Sequence, residues 1–170
     1  MLHVFLKPAE LYVATSPAII TTVLGSCVAV TMFNRRSGMA AMCHAVLPTC
    51  EEIDCRRSHC QLKAKYLNCV LPEMVRAFRK NRVPLKDIET GVFGGARVLS
   101  SLYGTNIEQS IGWRNMRTGL NQLKQMGMAV SVRNLGGTVG RKIQFYTDTG
   151  RVVVQKHQGL LARKLAEGKR

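Results

Sequence analysis

The chain has 170 residues, 46% hydrophobic and 21% charged, with a mean hydropathy of −0.01. That balance excludes a disordered chain and fits one domain with its own core. Twenty-five Lys and Arg against 10 Asp and Glu give a formal charge of +15, which attracts acidic partners, and no apolar run reaches the roughly 18 residues of a membrane helix.

The N-terminal segment shows no basic stretch followed by a sustained apolar run, because Lys7, Pro8 and Glu10 interrupt it. The expectation is a cytoplasmic protein without export or membrane insertion. Leu11 to Ala14 reads as a first strand, closed by Ser16-Pro17, and Ile19 to Leu24 as a second, leading to Gly25. Val28 to Phe33 (VAVTMF) is a run of β-formers. Asn34-Arg35-Arg36-Ser37-Gly38 is a turn cluster, and Met39 to Leu47 is a further apolar run, so the three together predict a β-hairpin.

With Asn34 to Ser37 as a four-residue loop, Phe33 faces Gly38 and, counting back along both strands, Cys27 faces His44. Facing residues project to one side of a sheet with Cβ atoms about 4.5–5.5 Å apart. A thiol and an imidazole so placed form the pair that turns a weak nucleophile into a thiolate. Pattern alone equally describes a buried core cysteine beside a satisfied histidine, and a slip of one residue would send the two side chains to opposite faces. Gly25 lets the backbone bend sharply, and Gly25, Ser26 and the Cys27 backbone N–H form a candidate oxyanion segment. No carboxylate lies near Cys27 or His44 in the sequence. The nearest hydroxyls for orienting the histidine are Thr21, Thr22 and Ser26.

Six cysteines, at positions 27, 43, 50, 55, 60 and 69, all fall within about one quarter of the chain. Cys50, Cys55, His59, Cys60 and Cys69 are the cluster that could suggest zinc, but the four-residue gaps sit at the edge of structural zinc spacing. Free thiols on a loop at about 49–60 are the expectation, with no metal and no cofactor. A helix is predicted from about Gln61 to Arg79, kinked or restarted at Pro72. Ile88 to Phe93 reads as a buried strand ending at Gly94-Gly95. Ile111 to Met126 has helical spacing with Gly127 as its stop, and Met128 to Val132 reads as a strand. Ile143 to Thr147 and Val152 to Val154 flank the turn Asp148-Thr149-Gly150, and residues 157–170 form a basic tail with amphipathic helical pattern. The whole predicts a single α+β sandwich domain over 1–170 rather than a regular βαβ alternation. The basic residues are scattered and aromatics make up 6%, so no stacking platform supports nucleic acid, and that reading rests on charge alone.

Leu24-Gly25-Ser26-Cys27, Ala41-Met42-Cys43-His44-Ala45-Val46-Leu47-Pro48, Gly91-Val92-Phe93-Gly94-Gly95-Ala96, Ile111-Gly112-Trp113-Arg114-Asn115 and Leu135-Gly136-Gly137-Thr138-Val139-Gly140-Arg141 occur in that order. Together they resemble the chemoreceptor glutamine deamidases of bacterial and archaeal chemotaxis. The resemblance implies Thr21, Cys27 and His44 as catalytic residues and an α/β/β sandwich akin to the catalytic domain of glutamine-deamidating toxins. It also implies hydrolysis of selected glutamines on chemoreceptor cytoplasmic helices, and binding to a phosphatase of the phosphorylated response regulator. The same chemistry would serve glutamyl methyl esters. A non-catalytic adaptor that binds receptor or phosphatase is the alternative.

Overall fold

The structure is a computed structural model that describes residues 1–50, 62–97 and 107–157. Burial along the strands already reveals the layering. β4 (Val28–Phe33) and β5 (Ala40–Ala45) are buried at every position, as strands covered on both faces must be. In β3 (Ala18–Leu24) and β8 (Gly140–Tyr146), buried residues alternate with more exposed ones, the mark of a sheet with one covered face. β4 and β5 belong to a five-stranded sheet with β2 (Glu10–Ala14), β6 (Glu89–Gly94) and β7 (Val132–Leu135), ordered β2-β5-β4-β6-β7. β3 and β8 belong to a four-stranded sheet with β1 (Leu2–Phe5) and β9 (Val152–His157), ordered β1-β3-β8-β9.

One face of the five-stranded sheet presents Val28, Val30, Met32, Ala41, Cys43 and Val92 to the helices α1 (Leu67–Lys80) and α2 (Ile111–Gln125). The alternate residues Ala29, Phe33, Ala40, Met42 and Phe93 meet Ile20, Leu24, Ile143 and Phe145 of the other sheet. The result is helices, a middle sheet and an outer sheet, in agreement with the predicted α+β sandwich. No helix among the described residues is long and apolar enough to cross a membrane.

Several elements differ from their sequence expectations for identifiable reasons. β1 was not predicted; it adds to β3 in parallel, Leu2 beside Ala18. α1 begins at Leu67, not near 61, because Tyr66 is drawn into extended conformation (φ −116°, ψ 131°) and bridges Leu47 in parallel. Pro72 lies inside α1 and the helix continues through it, with Leu67, Val70, Leu71, Met74, Val75 and Phe78 buried along one stripe. The strand expected over Met128 to Val132 is β7 instead. Gly127 ends α2 with φ +71°, Met128 drops into the helix-side core, and only Val132–Leu135 pairs with Gly91–Gly94. Most of the cysteine loop and all but the first residue of the basic tail lie outside the described residues.

Candidate active site

The hairpin forms, but its register is displaced. Phe33 faces Ala40 and Ala29 faces His44. Asn34 stays in the ladder, its N–H donating to the Met39 carbonyl at 2.9 Å, while its side-chain oxygen accepts from the Ser37 N–H at 2.9 Å and the Ser37 hydroxyl at 2.8 Å. This Asx turn pushes the four-residue loop on to Arg35–Gly38, with Gly38 at φ +68°. The pairing moves by two positions, an even step that preserves the face. Cys27 therefore lies diagonal to His44 rather than opposite it. Both belong to the layer between the sheets, where Cys27 packs against the cluster that includes Ala29 and Leu24.

The threonine that reaches His44 is Thr22, not Thr21. Alternation along β3 turns Thr22, fully buried, into the sandwich and leaves the half-buried Thr21 on the outer face. The Thr22 hydroxyl lies 2.6 Å from the Leu6 carbonyl oxygen and 2.8 Å from His44 Nδ1. A carbonyl can only accept, so the one hydroxyl proton goes to Leu6 and the hydroxyl oxygen accepts from His44 Nδ1–H. That fixes the neutral tautomer of His44 and leaves the lone pair on Nε2, which is buried with no hydrogen-bond partner among the described residues. The arrangement is that of a poised base: one nitrogen held from across the sandwich, the other unengaged.

Burial sets the resting charges. It lowers the His44 pKa below its ordinary value, against the opposing pull of the Leu6 carbonyl and the Glu10 charge, and Glu10 faces His44 on β2. It also raises the Cys27 thiol, against the Cys27 backbone N–H beside the sulfur. The lowered thiol pKa expected from the sequence is thus reversed: near neutral pH both groups are uncharged. A nucleophile here would form by proton transfer during attack rather than stand as a resting thiolate. Cys43, pushed up to about 12 by complete burial, faces the helices and takes no part.

The segment before β4 is held by its carbonyls. Gly25 O accepts from Ala96 N–H at 2.9 Å, Ser26 O from Asn115 Nδ2 at 3.0 Å, and Cys27 O from Gly95 N–H at 2.8 Å. In a trans peptide the N–H points opposite to the carbonyl, so the Ser26 and Cys27 N–H groups are turned away from these anchors. The approach is possible because Gly94, at φ +108°, has no side chain; a Cβ there would sit 2.2 Å from the Cys27 oxygen. Gly112, on α2, abuts Gly95 and Ala96 so closely that its Cβ would lie 2.5 Å from Ala96 O.

One turn after Gly112, Asn115 is fully buried, and sequence reading did not single it out. Its signal was the three-residue spacing from a glycine, which puts both on the helix face that meets the Cys27 loop. Thr22 carried no such signal, since both parities of β3 are apolar, Ile19 and Val23 on one and Ile20 and Leu24 on the other. No three His, Cys, Asp or Glu side chains among the described residues are grouped to hold a metal, and Cys55, His59 and Cys60 lie outside them. Cys50 and Cys69 both adjoin Asn68, whose amide bonds the Cys50 backbone at 2.9 and 3.2 Å.

A family model described as CheD chemotactic sensory transduction matches residues 47–156. A "Probable chemoreceptor glutamine deamidase CheD 2" of Geobacter sulfurreducens is 37% identical over 154 residues, covering 91% of this chain and 89% of that protein. A "Probable chemoreceptor glutamine deamidase CheD" of Maridesulfovibrio salexigens is 35% identical over 156 residues, 91% of each. One of the same description in the archaeon Methanococcus maripaludis is 30% identical over 149 residues, covering 88% of this chain and 92% of that protein.

Proposed function

The chain belongs to the CheD family of chemotactic sensory transduction proteins, and on that premise we propose that it is a protein-glutamine glutaminase acting on chemoreceptors. The observation that carries the catalytic part is the unpartnered Nε2 of His44, in the same layer as Cys27, with Nδ1 committed to Thr22. His44 Nε2 takes the Cys27 proton as the sulfur attacks the glutamine side-chain carbonyl. The Ser26 and Cys27 N–H groups receive the oxyanion. His44 returns the proton to the leaving nitrogen, ammonia departs, and a thioester remains. Water, deprotonated by His44, then cleaves the thioester to glutamate and the free thiol. A glutamyl methyl ester would follow the same course with methanol as the leaving group.

The +15 charge suits a cytoplasmic enzyme whose substrates are receptor helices carrying methylatable glutamates, because complementary charge speeds encounter. One deamidase domain over 1–170, likeness to the glutamine-deamidating toxin fold, and binding to a response-regulator phosphatase complete the proposal. The test is mass spectrometry of a receptor cytoplasmic fragment incubated with the protein. Specific glutamines should be converted to glutamates in proportion to enzyme and time. A fragment left unchanged at stoichiometric enzyme would remove the activity.

The two threonines give a sharper check on the geometry. Thr22→Val should lower kcat by about 5- to 30-fold, the equivalent of one or two kcal/mol of lost hydrogen bonding. Thr21→Val, on the outer face, should stay within about twofold of wild type, a surface-type effect. The reverse ranking in steady-state rates would mean that Thr21 holds the histidine.

A further inference from the structure

We infer that Asn115 is a positioning residue for the Cys27–His44 pair, clamping the nucleophile loop to the end of the histidine strand. Its Nδ2 donates to Ser26 O at 3.0 Å and to Val46 O at 2.9 Å. Ser26 immediately precedes Cys27, and Val46 lies two residues beyond His44. Because both acceptors are carbonyls, only the NH2 end of the amide fits there, and the side chain has one possible orientation. One buried group thus spans the two segments that carry the thiol and the base, whose register pairing ends at Val28 and Ala45. Beyond that pair the ladder between the two strands ends, and while the Gly25 and Cys27 carbonyls are tied to Ala96 and Gly95, the Asn115 amide is what joins the two segments to each other.

A second observation separates this role from plain stabilisation. Asn115 Oδ1 is buried without a hydrogen-bond partner among the described residues. An unsatisfied buried acceptor is destabilising. An apolar side chain of similar size would avoid that cost, so what Asn115 contributes is the two-pronged donor. Gly112, one turn earlier, lets α2 approach the loop closely enough for the amide to reach. Misplacement of reacting groups by about 1 Å can cost on the order of 100-fold in rate, whereas substrate binding does not depend on it.

This inference rests on the deamidase reading, and its test has one arm that does not. Asn115→Leu removes both donors, and Asn115→Asp keeps the size while facing two carbonyls with a carboxylate. In folded variants kcat on a receptor fragment should fall roughly 10- to 100-fold with KM changed by no more than about twofold. Independently of any receptor, the pH profile of Cys27 alkylation by iodoacetamide, read by peptide mass spectrometry, should shift alkaline and approach that of His44→Ala. A wild-type alkylation profile in either folded variant overturns the inference, whatever the receptor assay shows. So does failure of both variants to fold, because Asn115 would then serve the fold without a separable effect on the pair. Altered alkylation profiles in a protein whose wild type leaves receptors unchanged would uphold the clamp and sink only the deamidase reading.

Discussion

Cys27→Ala is expected to abolish deamidation, a loss of about 10⁴-fold or more, because no other described cysteine can take its place. Cys43 is fully buried on the helix side of the middle sheet, and Cys50 and Cys69 lie against Asn68, past the end of the histidine strand. The melting temperature should change by only a few degrees, since a half-buried thiol gives up little core. Mass spectrometry of a receptor fragment at high enzyme, together with a thermal melt, checks both halves. Full turnover in the folded variant would end the reading of Cys27 as nucleophile.

His44→Ala is the second large effect, about 10²- to 10⁴-fold in kcat, the usual contribution of a general base. Its signature is in the pH dependence. Folding lowers the His44 pKa below its ordinary value near 6.5, so the neutral, proton-accepting form is already complete above that value and is lost as pH falls through the lowered one. Wild-type kcat/KM should therefore rise on the acid side at a pH below about 6.5 and stay level until the Cys27 thiol begins to ionise above its ordinary value. In His44→Ala the acid limb should vanish, and the residual rate should climb only at alkaline pH with the thiol itself. An unchanged acid limb in the variant would assign that ionisation elsewhere.

Val28–Phe33 was legible because six apolar or β-branched residues in a row leave no alternative to a buried strand. The Cys27–His44 relation was legible for a subtler reason. The predicted loop was one residue early, yet the resulting displacement of two positions kept both side chains on one face. β1 was illegible, since three of its four residues are exposed and its partner, β3, lies beyond β2 in the sequence. β7 failed similarly: three of its four residues are exposed, and its parallel pairing to β6 answers to tertiary structure rather than pattern. Thr21 and Thr22 could not be told apart because β3 reads apolar on both parities, with Ile19 and Val23 on one and Ile20 and Leu24 on the other. Only the presence of a second sheet decides which parity is inside.

The hydrogen bond between Thr22 and His44 joins two different sheets, and the loop before Cys27 is tied to β6 and α2. None of these parts is complete on its own. In the sequence Cys27 is one thiol among six, with His44 seventeen residues away and the anchoring Gly95, Ala96 and Asn115 far later in the chain. On the proposed mechanism, a copy that stalls before the sheets dock lacks both the Thr22–His44 bond and the anchored loop, so deamidation is expected only of finished molecules.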